Sequence, residues 1–413
     1  MEKIHMARSW AMGIVLVLVL TLFTLGCGDG DGSGSKKSKA QDLTSDVRAD
    51  GTSVIPPNEE VPEDVQCVAS GVAPAAGCAV EVGGESLLIE GIVLGPKGAF
   101  YDGGVLISST GNIQCVGCDC GKAVAGAPPT VLRCANTIVS PGLINTHDHM
   151  GWMHNAPAQW GSERYEHRHD WRKGLRGHTK ISAGGGASVD EKAWGEMRQL
   201  MAGTTTLAGS GSTEGFLRNV DTDKQEELQQ APVELDTFPL GDSKGTFRTD
   251  DCSYPGMPND SVLGEDAYVP HVAEGIDIEA HNELMCLISS DRGGFDAAGP
   301  NASFIHVVAA DPMDVSSLAQ SGTSVIWSPR SNISLYGNTA PVTMLDQMGV
   351  RVALGTDWTP SGSINILREL QCANYLNDTH YGGYFDSRDL WKMATVNAAA
   401  ALAIDDVVGI LKE

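Results

Sequence analysis

The chain has 413 residues, 42% of them hydrophobic and 19% charged, which is the composition of a globular protein long enough for two or three domains. Its formal net charge is −24, from 28 Lys and Arg against 52 Asp and Glu. This charge argues against a nucleic-acid partner, because a phosphate backbone is bound by clustered Lys and Arg.

Residues 1–27 have the organisation of an export signal. Lys3 and Arg8 precede an apolar run over residues 11–25, which is shorter than the roughly 20 residues that span a membrane. The segment ending at Cys27 resembles the lipobox of bacterial lipoproteins, although Thr24 stands where that pattern usually has Leu. We therefore expect an exported protein of the cell envelope, at the periplasmic or outer-membrane face, held to the membrane only by a lipid at Cys27. An ordinary secretory signal cut nearby is the alternative.

Residues 28–66 are rich in Gly, Ser and charged side chains and have almost nothing apolar to bury. Such a composition predicts a flexible tether. The folded part of the protein is therefore expected to begin near residue 67.

The chain has ten cysteines, three of which are grouped as CVGCDC at Cys115, Cys118 and Cys120. A C-x-x-C-x-C run could hold zinc in a cytosolic protein, but in an exported one disulfides are the more common outcome. We therefore favour disulfides, with Cys67–Cys78 as one candidate bridge.

The predicted elements change in character along the chain. Residues 86–117 consist of β-branched or apolar runs separated by Gly-Pro and Gly-Gly, which predicts a small β-module over residues 67–140. Ser188 and Glu191 form a capping box at the start of a predicted helix. Further strands are expected at 137–144, 204–208, 233–240, 268–272, 304–309, 324–327 and 350–354, and helices at 364–376 and 389–403.

This alternation of strands and helices predicts an α/β fold with a parallel sheet, most simply a (β/α)8 TIM-like barrel over residues 141–403. Between the strands at 204–208 and 268–272 only one convincing strand is found where a complete barrel needs two. The barrel is therefore expected to be compressed, or to have a further strand within residues 241–266.

Four groups of reactive side chains follow predicted strands of this barrel. They are His147 with His149, His271 with Glu274, His306, and Asp357. Each has an unremarkable alternative, such as a hydrogen-bonded rim histidine or an Asx-turn. Because the carboxyl ends of all strands of a barrel meet at one rim, we expect these side chains to converge.

The chain resembles the amidohydrolase superfamily, in particular its branch of deaminases and chlorohydrolases that act on cyclic C–N compounds. The matching segments are PGLINTHDH, MAGTTTLAG, HVAEG, SPRSN, VALGTDW and MATVNAAAALAI. The resemblance implies that the β-module is part of a β-sandwich flanking the barrel. Residues 404–413 would then begin the return to that sandwich, which looks incomplete at the C-terminus.

The resemblance also implies roles for the converging residues. His147, His149, His271 and Asp357 are the expected ligands of one divalent metal ion. Asp357 is also the expected base towards water, and Glu274 the acid that protonates the substrate nitrogen. His306 is expected to polarise the substrate at the attacked carbon. Three nitrogens and one oxygen suit zinc best, with iron or manganese as alternatives.

The expected activity is metal-dependent hydrolysis of a non-peptide C–N bond, by deamination or cyclic amide hydrolysis, of a small cyclic nitrogen compound. A catalytically degenerate ligand-binding lipoprotein and a metal-dependent esterase are the alternatives. His167 and His169 could form a second metal site, line an anion-binding pocket together with Arg164, Arg168 and Arg172, or lie on a solvated loop. Relatives of this kind often form homo-oligomers.

Overall fold

The structure is a computed structural model that describes residues 63–123, 126–226 and 228–413. The predicted export signal, the predicted lipidation site Cys27 and nearly all of the tether lie outside the described residues. The described chain divides into two compact units, one over Pro141–Ile410 and the other over residues 63–140 with Leu411–Glu413.

The smaller unit is built on one six-stranded mixed sheet in the order β1-β4-β3-β6-β2, with β5 pairing on β4. Its strands are β1 (Val65–Gln66), β2 (Cys78–Glu81), β3 (Leu87–Leu94), β4 (Ala99–Ile107), β5 (Ile113–Gly117) and β6 (Thr130–Val139). Strands were expected in this region, and Leu88 and Leu106 form the centre of its small core. All these strands belong to one sheet, so the two-layered sandwich remains a prediction.

Within the described part of the chain, three disulfides stabilise this unit and another lies in the larger one, which bears out the preference for disulfides over a cysteine metal site. The pairs are Cys67–Cys118, Cys78–Cys134, Cys115–Cys120 and Cys252–Cys286. The candidate bridge Cys67–Cys78 was wrong. Cys78 lies directly opposite Cys134 in the antiparallel pairing of β2 with β6, whereas Cys67 follows β1, which pairs with β4.

The larger unit contains eight parallel strands in two sheets, of three strands (β7-β8-β9) and five strands (β10-β11-β12-β13-β14). They are β7 (Leu143–Asn145), β8 (Thr204–Leu207), β9 (Arg218–Asn219), β10 (Glu234–Asp236), β11 (Tyr268–Val272), β12 (Ser303–His306), β13 (Ser324–Trp327) and β14 (Val352–Leu354). The two sheets share a core of one buried side chain from each of five strands, namely Ile144, Val269, Ile305, Ile326 and Ala353.

The strand that could not be found in the sequence is β9, which has only two residues, Arg218–Asn219. It lies before the predicted strand at 233–240, not within residues 241–266. Its pairing with β8 is short, and Val233 then donates a backbone hydrogen bond to Val220. The two sheets also meet at their edge strands β7 and β14. Asp148 and Asp357 form an isolated parallel bridge that links the end of β7 to the end of β14.

Helices follow most of these strands. They are α1 (Arg168–Lys173), α2 (Val189–Met201), α3 (Ile278–Leu287), α4 (Pro312–Ser321), α5 (Pro329–Tyr336), α6 (Val342–Gln347), α7 (Ile366–His380), α8 (Ser387–Met393) and α9 (Val396–Ala401). The single helix expected over 389–403 is two helices, because the backbone leaves the helical region at Thr395. Among the described residues, no helix is both long enough and apolar enough to cross a membrane.

Helix α2 begins at the predicted capping box, in which Ser188 and Glu191 each bond the other's backbone N–H. Its apolar residues do not form its buried face, since Trp194 is 61% exposed. The buried face instead presents Glu196 and Gln199, whose side chains hydrogen-bond inside the unit. The capping box predicted where the helix begins, but not which of its faces is buried.

Candidate active site

The ends of four strands bring together the six side chains that the sequence had singled out. His147 and His149 follow β7, His271 lies in β11 with Glu274 just beyond it, His306 ends β12, and Asp357 follows β14. The ring centroid of His147 lies 4.7 Å from that of His271 and 5.3 Å from that of His306. All six residues except the partly buried His149 are buried.

The two histidines after β7 point their Nε2 atoms at the same place. These atoms lie 3.1 Å apart, and Asp357 Oδ1 lies 3.8 Å from that of His147 and 3.4 Å from that of His149. Burial lowers the pKa of His149 to about 4 and that of His147 well below its usual value. Both imidazoles are therefore neutral at pH 7, the form that binds a metal ion.

The third histidine has its ring orientation set by the backbone. His271 Nδ1 lies 3.3 Å from the carbonyl oxygen of Asp236, which can only accept, so Nδ1 carries the proton. Its Nε2 then presents a lone pair, is buried, and has no hydrogen-bond partner among the described residues. An orphaned acceptor of this kind is costly unless a cation or a donor approaches it.

Asp357 completes this cluster. Its Oδ2 accepts a hydrogen bond of 2.5 Å from Ser331 Oγ, and its Oδ1 accepts one of 2.7 Å from the backbone of Trp358. Burial and the neighbouring Glu274 raise its pKa to about 8. Its φ of 57° lies in the left-handed region, a strained conformation that is found preferentially at functional sites.

These atoms fit a divalent metal ion. Ligand atoms of His147, His149 and His271 lie within 4.8 Å of one another, as do those of His147, His306 and Asp357. A cation would satisfy the orphaned nitrogen of His271 and keep the buried Asp357 ionised. The residues present are therefore a suitable ligand set for one divalent ion.

Asp148, between the two histidines, supports this arrangement and was not singled out in the sequence. Its Oδ2 accepts hydrogen bonds from Gln199 (2.8 Å), Asn145 (3.0 Å) and Thr356 (2.7 Å). Its Oδ1 accepts the backbone N–H of His149 at 2.7 Å, so Asp148 fixes the turn that carries the ligand. The alternation of side chains along the segment after β7 could have indicated that Asp148 points away from its neighbours.

Glu274 has the protonation behaviour of an acid at neutral pH. Burial raises its pKa to about 7, partly offset by the charge of Arg168 and by a 2.8 Å hydrogen bond from the hydroxyl of Tyr336. Its Oε2 lies 3.7 Å from His306 Nε2. A carboxyl group with this pKa can hold a proton and release it during a reaction near pH 7.

The tautomer of His306 follows from a chain of hydrogen bonds that starts at Trp327. The indole N–H of Trp327 can only donate, and it donates to Thr339 Oγ1 at 2.6 Å. The Thr339 hydroxyl then donates to Asn332 Oδ1 (3.2 Å), and Asn332 Nδ2 donates to His306 Nδ1 (3.1 Å). The proton of His306 therefore lies on Nε2, which faces Glu274.

Asn332, the last residue of the SPRSN segment, lies in α5 and orients His306.

A cavity of about 330 Å³ opens onto these residues. Its polar lining includes His149, His271, Glu274 and Asp357, and its apolar walls include Trp152, Trp171 and Trp358. Arg168, Arg172 and Lys180 add positive charge to the same cavity. Of the three arginines proposed for the pocket, Arg164 is exposed and does not line it.

His167 and His169 are buried in a hydrogen-bonded network beneath this cavity. His167 Nδ1 accepts the backbone N–H of His169, so its Nε2 carries the proton towards Glu283 Oε1 at 3.2 Å. Arg172 can only donate to His169 Nδ1, so His169 carries its proton on Nε2, which lies 3.0 Å from Asp242 Oδ2. Neither histidine lines the cavity, and their burial excludes a solvated loop. One side-chain nitrogen or oxygen atom from each of His167, His169 and Glu283 lies within 4.8 Å of the others, so the second metal site stays a prediction.

Known proteins resemble this chain in sequence and in fold. Residues 265–413 match the Amidohydrolase family. A 5-methylthioadenosine/S-adenosylhomocysteine deaminase of Thermococcus kodakarensis is 26% identical over 328 residues, covering 70% of this chain and 74% of the relative. The enzyme of the same name from Teredinibacter turnerae is 36% identical over 116 residues, but this match covers only 27% of this chain and 26% of the relative.

Among solved structures, atrazine chlorohydrolase from Arthrobacter aurescens, complexed with zinc, has a TM-score of 0.54 at 19% identity. The match covers 79% of this chain and 85% of that one. This likeness shows the fold, which is a TIM-barrel-like α/β fold. Together with the family match it supports the amidohydrolase superfamily.

Proposed function

We propose that this chain, a metal-dependent hydrolase of carbon–nitrogen bonds other than peptide bonds, deaminates an amino-substituted nitrogen heterocycle at the site formed by Glu274, His306 and Asp357. The observation that carries the proposal is the convergence of two buried carboxyl groups with raised pKa values, Glu274 and Asp357, on one cavity. Hydrolytic deamination needs a base towards water and an acid towards the leaving nitrogen. A protein that only binds a ligand needs neither.

The metal would be held by His147, His149, His271 and Asp357. We propose zinc, because three nitrogens and one oxygen suit it and a solved structure of similar fold contains it. When bound, the ion would lower the pKa of water to about 7 and so make hydroxide available at neutral pH. The proposed ligands of the metal are three neutral imidazoles and one carboxylate. They carry a single negative charge, so they repel an anionic group that approaches the metal only weakly.

The remaining work falls to side chains of this chain. Asp357 takes a proton from the attacking water, whose oxygen bonds to the ring carbon bearing the amino group. The Nε2 proton of His306 is directed at the attacking oxygen, where negative charge develops. Glu274 delivers its proton to a ring nitrogen, and the proton held by Asp357 passes to the amino group. The C–N bond then breaks, ammonia leaves, the remaining hydroxyl proton returns to Glu274, and the ring keeps a carbonyl group.

The test is ammonia release by the zinc-loaded chain from a panel of aminopurines, aminopyrimidines and aminotriazines, with cyclic amides and carboxylic esters as separate classes. We expect an aminated ring to be turned over. Glu274→Gln keeps the shape of the side chain but removes the acid, and it should lower the rate by about 10²–10⁴-fold while zinc content stays at one per chain. The matched control is Glu214→Gln at an exposed position.

The two alternatives give different results. An esterase would cleave the esters and leave every amine intact. A degenerate binding protein would bind a ring without releasing ammonia, and Glu274→Gln would then leave that binding unchanged.

We also propose, as features for separate tests, that the eight strands close as a (β/α)8 barrel and that the protein is exported and lipid-anchored at Cys27. Lipid attachment would appear as a mass increase on the N-terminal peptide and disappear in Cys27→Ser. Oligomeric state would follow from light scattering.

A further inference from the structure

Arg172 is a cation of the cavity that forms no ion pair within the described part of the chain. It lines the same cavity as His271 and Glu274. Among residues 63–123, 126–226 and 228–413, no carboxylate oxygen lies within 4.0 Å of its guanidinium. A partly buried guanidinium without a counter-ion is unusual, because desolvation of the charge is then not compensated.

The neighbouring arginines differ in this respect. Arg168 Nη2 lies 2.5 Å from Asp242 Oδ2 and 3.5 Å from Glu283 Oε1. Arg176 likewise pairs with Asp170 at 2.5 Å. The acidic groups below the cavity are therefore already used by Arg168 and Arg176, and the charge of Arg172 is left over on the cavity side.

Arg172 is also held in place by neutral groups. Its Nη1 donates to His169 Nδ1 at 2.9 Å and its Nη2 donates to the carbonyl oxygen of Ser243 at 3.3 Å. Its Cζ lies 4.2 Å from the centre of the Phe238 ring. The His169 ring is itself fixed by Asp242, so the guanidinium is preorganised while its positive charge remains available.

The rest of the cavity suits a flat ring. Trp152, Trp171 and Trp358 line it, and the rings of Trp171 and Trp358 lie 4.9 Å apart between centroids. Lys180 is the third cation of the lining, after Arg168 and Arg172. Planar aromatic walls bind planar heterocycles, and a guanidinium pairs with a carboxylate through two parallel N–H groups.

We propose that Arg172 is a specificity-determining residue that binds a carboxylate on the substrate, so that the cavity takes a planar nitrogen heterocycle with an anionic substituent. The identity of the ring as a substrate for deamination rests on the function proposed above. The binding of the carboxylate by Arg172 does not, and it can be tested without turnover.

The test uses two probes of nearly equal shape, pyridine-3-carboxylate and the neutral 3-acetylpyridine, neither of which has a hydrolysable C–N bond outside the ring. Binding to the purified full chain is followed by quenching of tryptophan fluorescence, because three tryptophans line the cavity. A charge-assisted hydrogen-bonded pair predicts that the carboxylate binds about tenfold or more tightly than the ketone.

Arg172→Gln should remove this preference. Arg172→Lys should keep part of it, since Lys retains the charge but lacks the two parallel N–H groups of the guanidinium. The control is Lys173→Gln, which makes the same charge change at the next residue, an exposed one that does not line the cavity. Circular dichroism establishes that each variant is folded. If Arg172→Gln does not fold, the Arg172→Lys comparison decides.

Two results would overturn the proposal. One is equal binding of the two probes by the parent chain. The other is a preference for the carboxylate that survives Arg172→Gln but disappears when zinc is removed, because the carboxylate would then be bound by the metal. Failure of deamination in the panel above, with the Arg172-dependent preference intact, would overturn only the proposed reaction.

Discussion

The backbone N–H of Asp357 donates a 3.0 Å hydrogen bond to the carbonyl oxygen of His147. This contact joins the residue after the last strand to the first metal-binding candidate of the first strand. The position of the carboxylate relative to the imidazole is thus set by the backbone and not only by the side chains. Anything that separates β7 from β14 should disturb the site before it unfolds the protein.

Gly355, two residues before Asp357, permits this close approach. A Cβ atom placed there would lie 2.5 Å from His147 Cβ and 2.9 Å from its backbone nitrogen. We expect Gly355→Ala to displace His147, lowering metal affinity by about 10–100-fold, the range found when the support of a ligand is removed. Zinc content after dialysis against a graded chelator measures this.

Gly264→Ala is the matched control, because nothing lies within 4 Å of a Cβ at that position. It should bind zinc as the parent does. Unchanged zinc affinity in Gly355→Ala would mean that the strands move apart without cost and that the approach of β14 to His147 is not needed.

The hydroxyl of Tyr336 should set the upper pH limit of activity. It donates to Glu274 and so favours the ionised carboxylate, while burial favours the protonated form and brings the pKa of Glu274 to about 7. Tyr336→Phe removes the donor, so the pKa of Glu274 rises. Because the acid must be protonated to act, the alkaline limb of kcat/KM should move up by about one to two pH units, the equivalent of one charge-assisted hydrogen bond.

Tyr384→Phe removes an equivalent 2.8 Å hydrogen bond to Asp346 at the surface and should leave the profile unchanged. An alkaline limb that stays in place, or moves to lower pH, in Tyr336→Phe would show that Glu274 is not the group that titrates there.

The chain of hydrogen bonds from Trp327 to His306 predicts that Asn332 acts by fixing the tautomer of the His306 imidazole. In Asn332→Asp the donor to His306 Nδ1 becomes an acceptor, so the proton must move from Nε2 to Nδ1. We expect kcat to fall by about 10²-fold or more, as when an oriented donor is lost, with zinc content unchanged. Asn374→Asp, at an exposed position in α7, is the control.

A double-mutant cycle distinguishes this from general damage. In a His306→Gln background the tautomer no longer exists, so adding Asn332→Asp should cost little more. If the two losses multiply, Asn332 affects the site by another route.

The sequence was sufficient to place the reactive residues at strand ends, because that pattern depends only on local order along the chain. His271 and Glu274 are close in sequence, and β11 was predicted with its observed bounds. The sequence was not sufficient to identify groups whose role depends on partners far away along the chain. Tyr336 reaches Glu274 from α5, and Gln199 reaches Asp148 from α2, and neither pairing leaves a local signal.

Short strands could not be predicted from the sequence for a related reason. β9 has two residues and too few side chains to show alternation, so its pairing with β8 is visible only in three dimensions. The charged network of Arg168, Asp242 and Glu283 was equally hidden, because its members come from three separate segments.

Glu369 provides the last prediction, which concerns stability. It is fully buried in α7; its Oε1 accepts the backbone N–H of Arg330 at 2.9 Å, and its Oε2 has no hydrogen-bond partner among the described residues. Burial raises its pKa from 4.5 to about 7. The folded state therefore holds a proton that the unfolded state releases, so the stability contribution is complete below pH 4.5 and is lost as the pH rises to about 7.

By linkage this loss amounts to roughly 3 kcal/mol of unfolding free energy between pH 4.5 and pH 8. Glu369→Gln has no proton to lose, so its free energy of unfolding relative to the parent should rise by that amount over the same range. Denaturant unfolding at pH 5, 6, 7 and 8 with chelator present measures the difference, and Glu214→Gln should show none of it. A parent–variant difference independent of pH would mean that Glu369 is ionised in the folded protein, stabilised by the Arg330 N–H and the charge of that arginine.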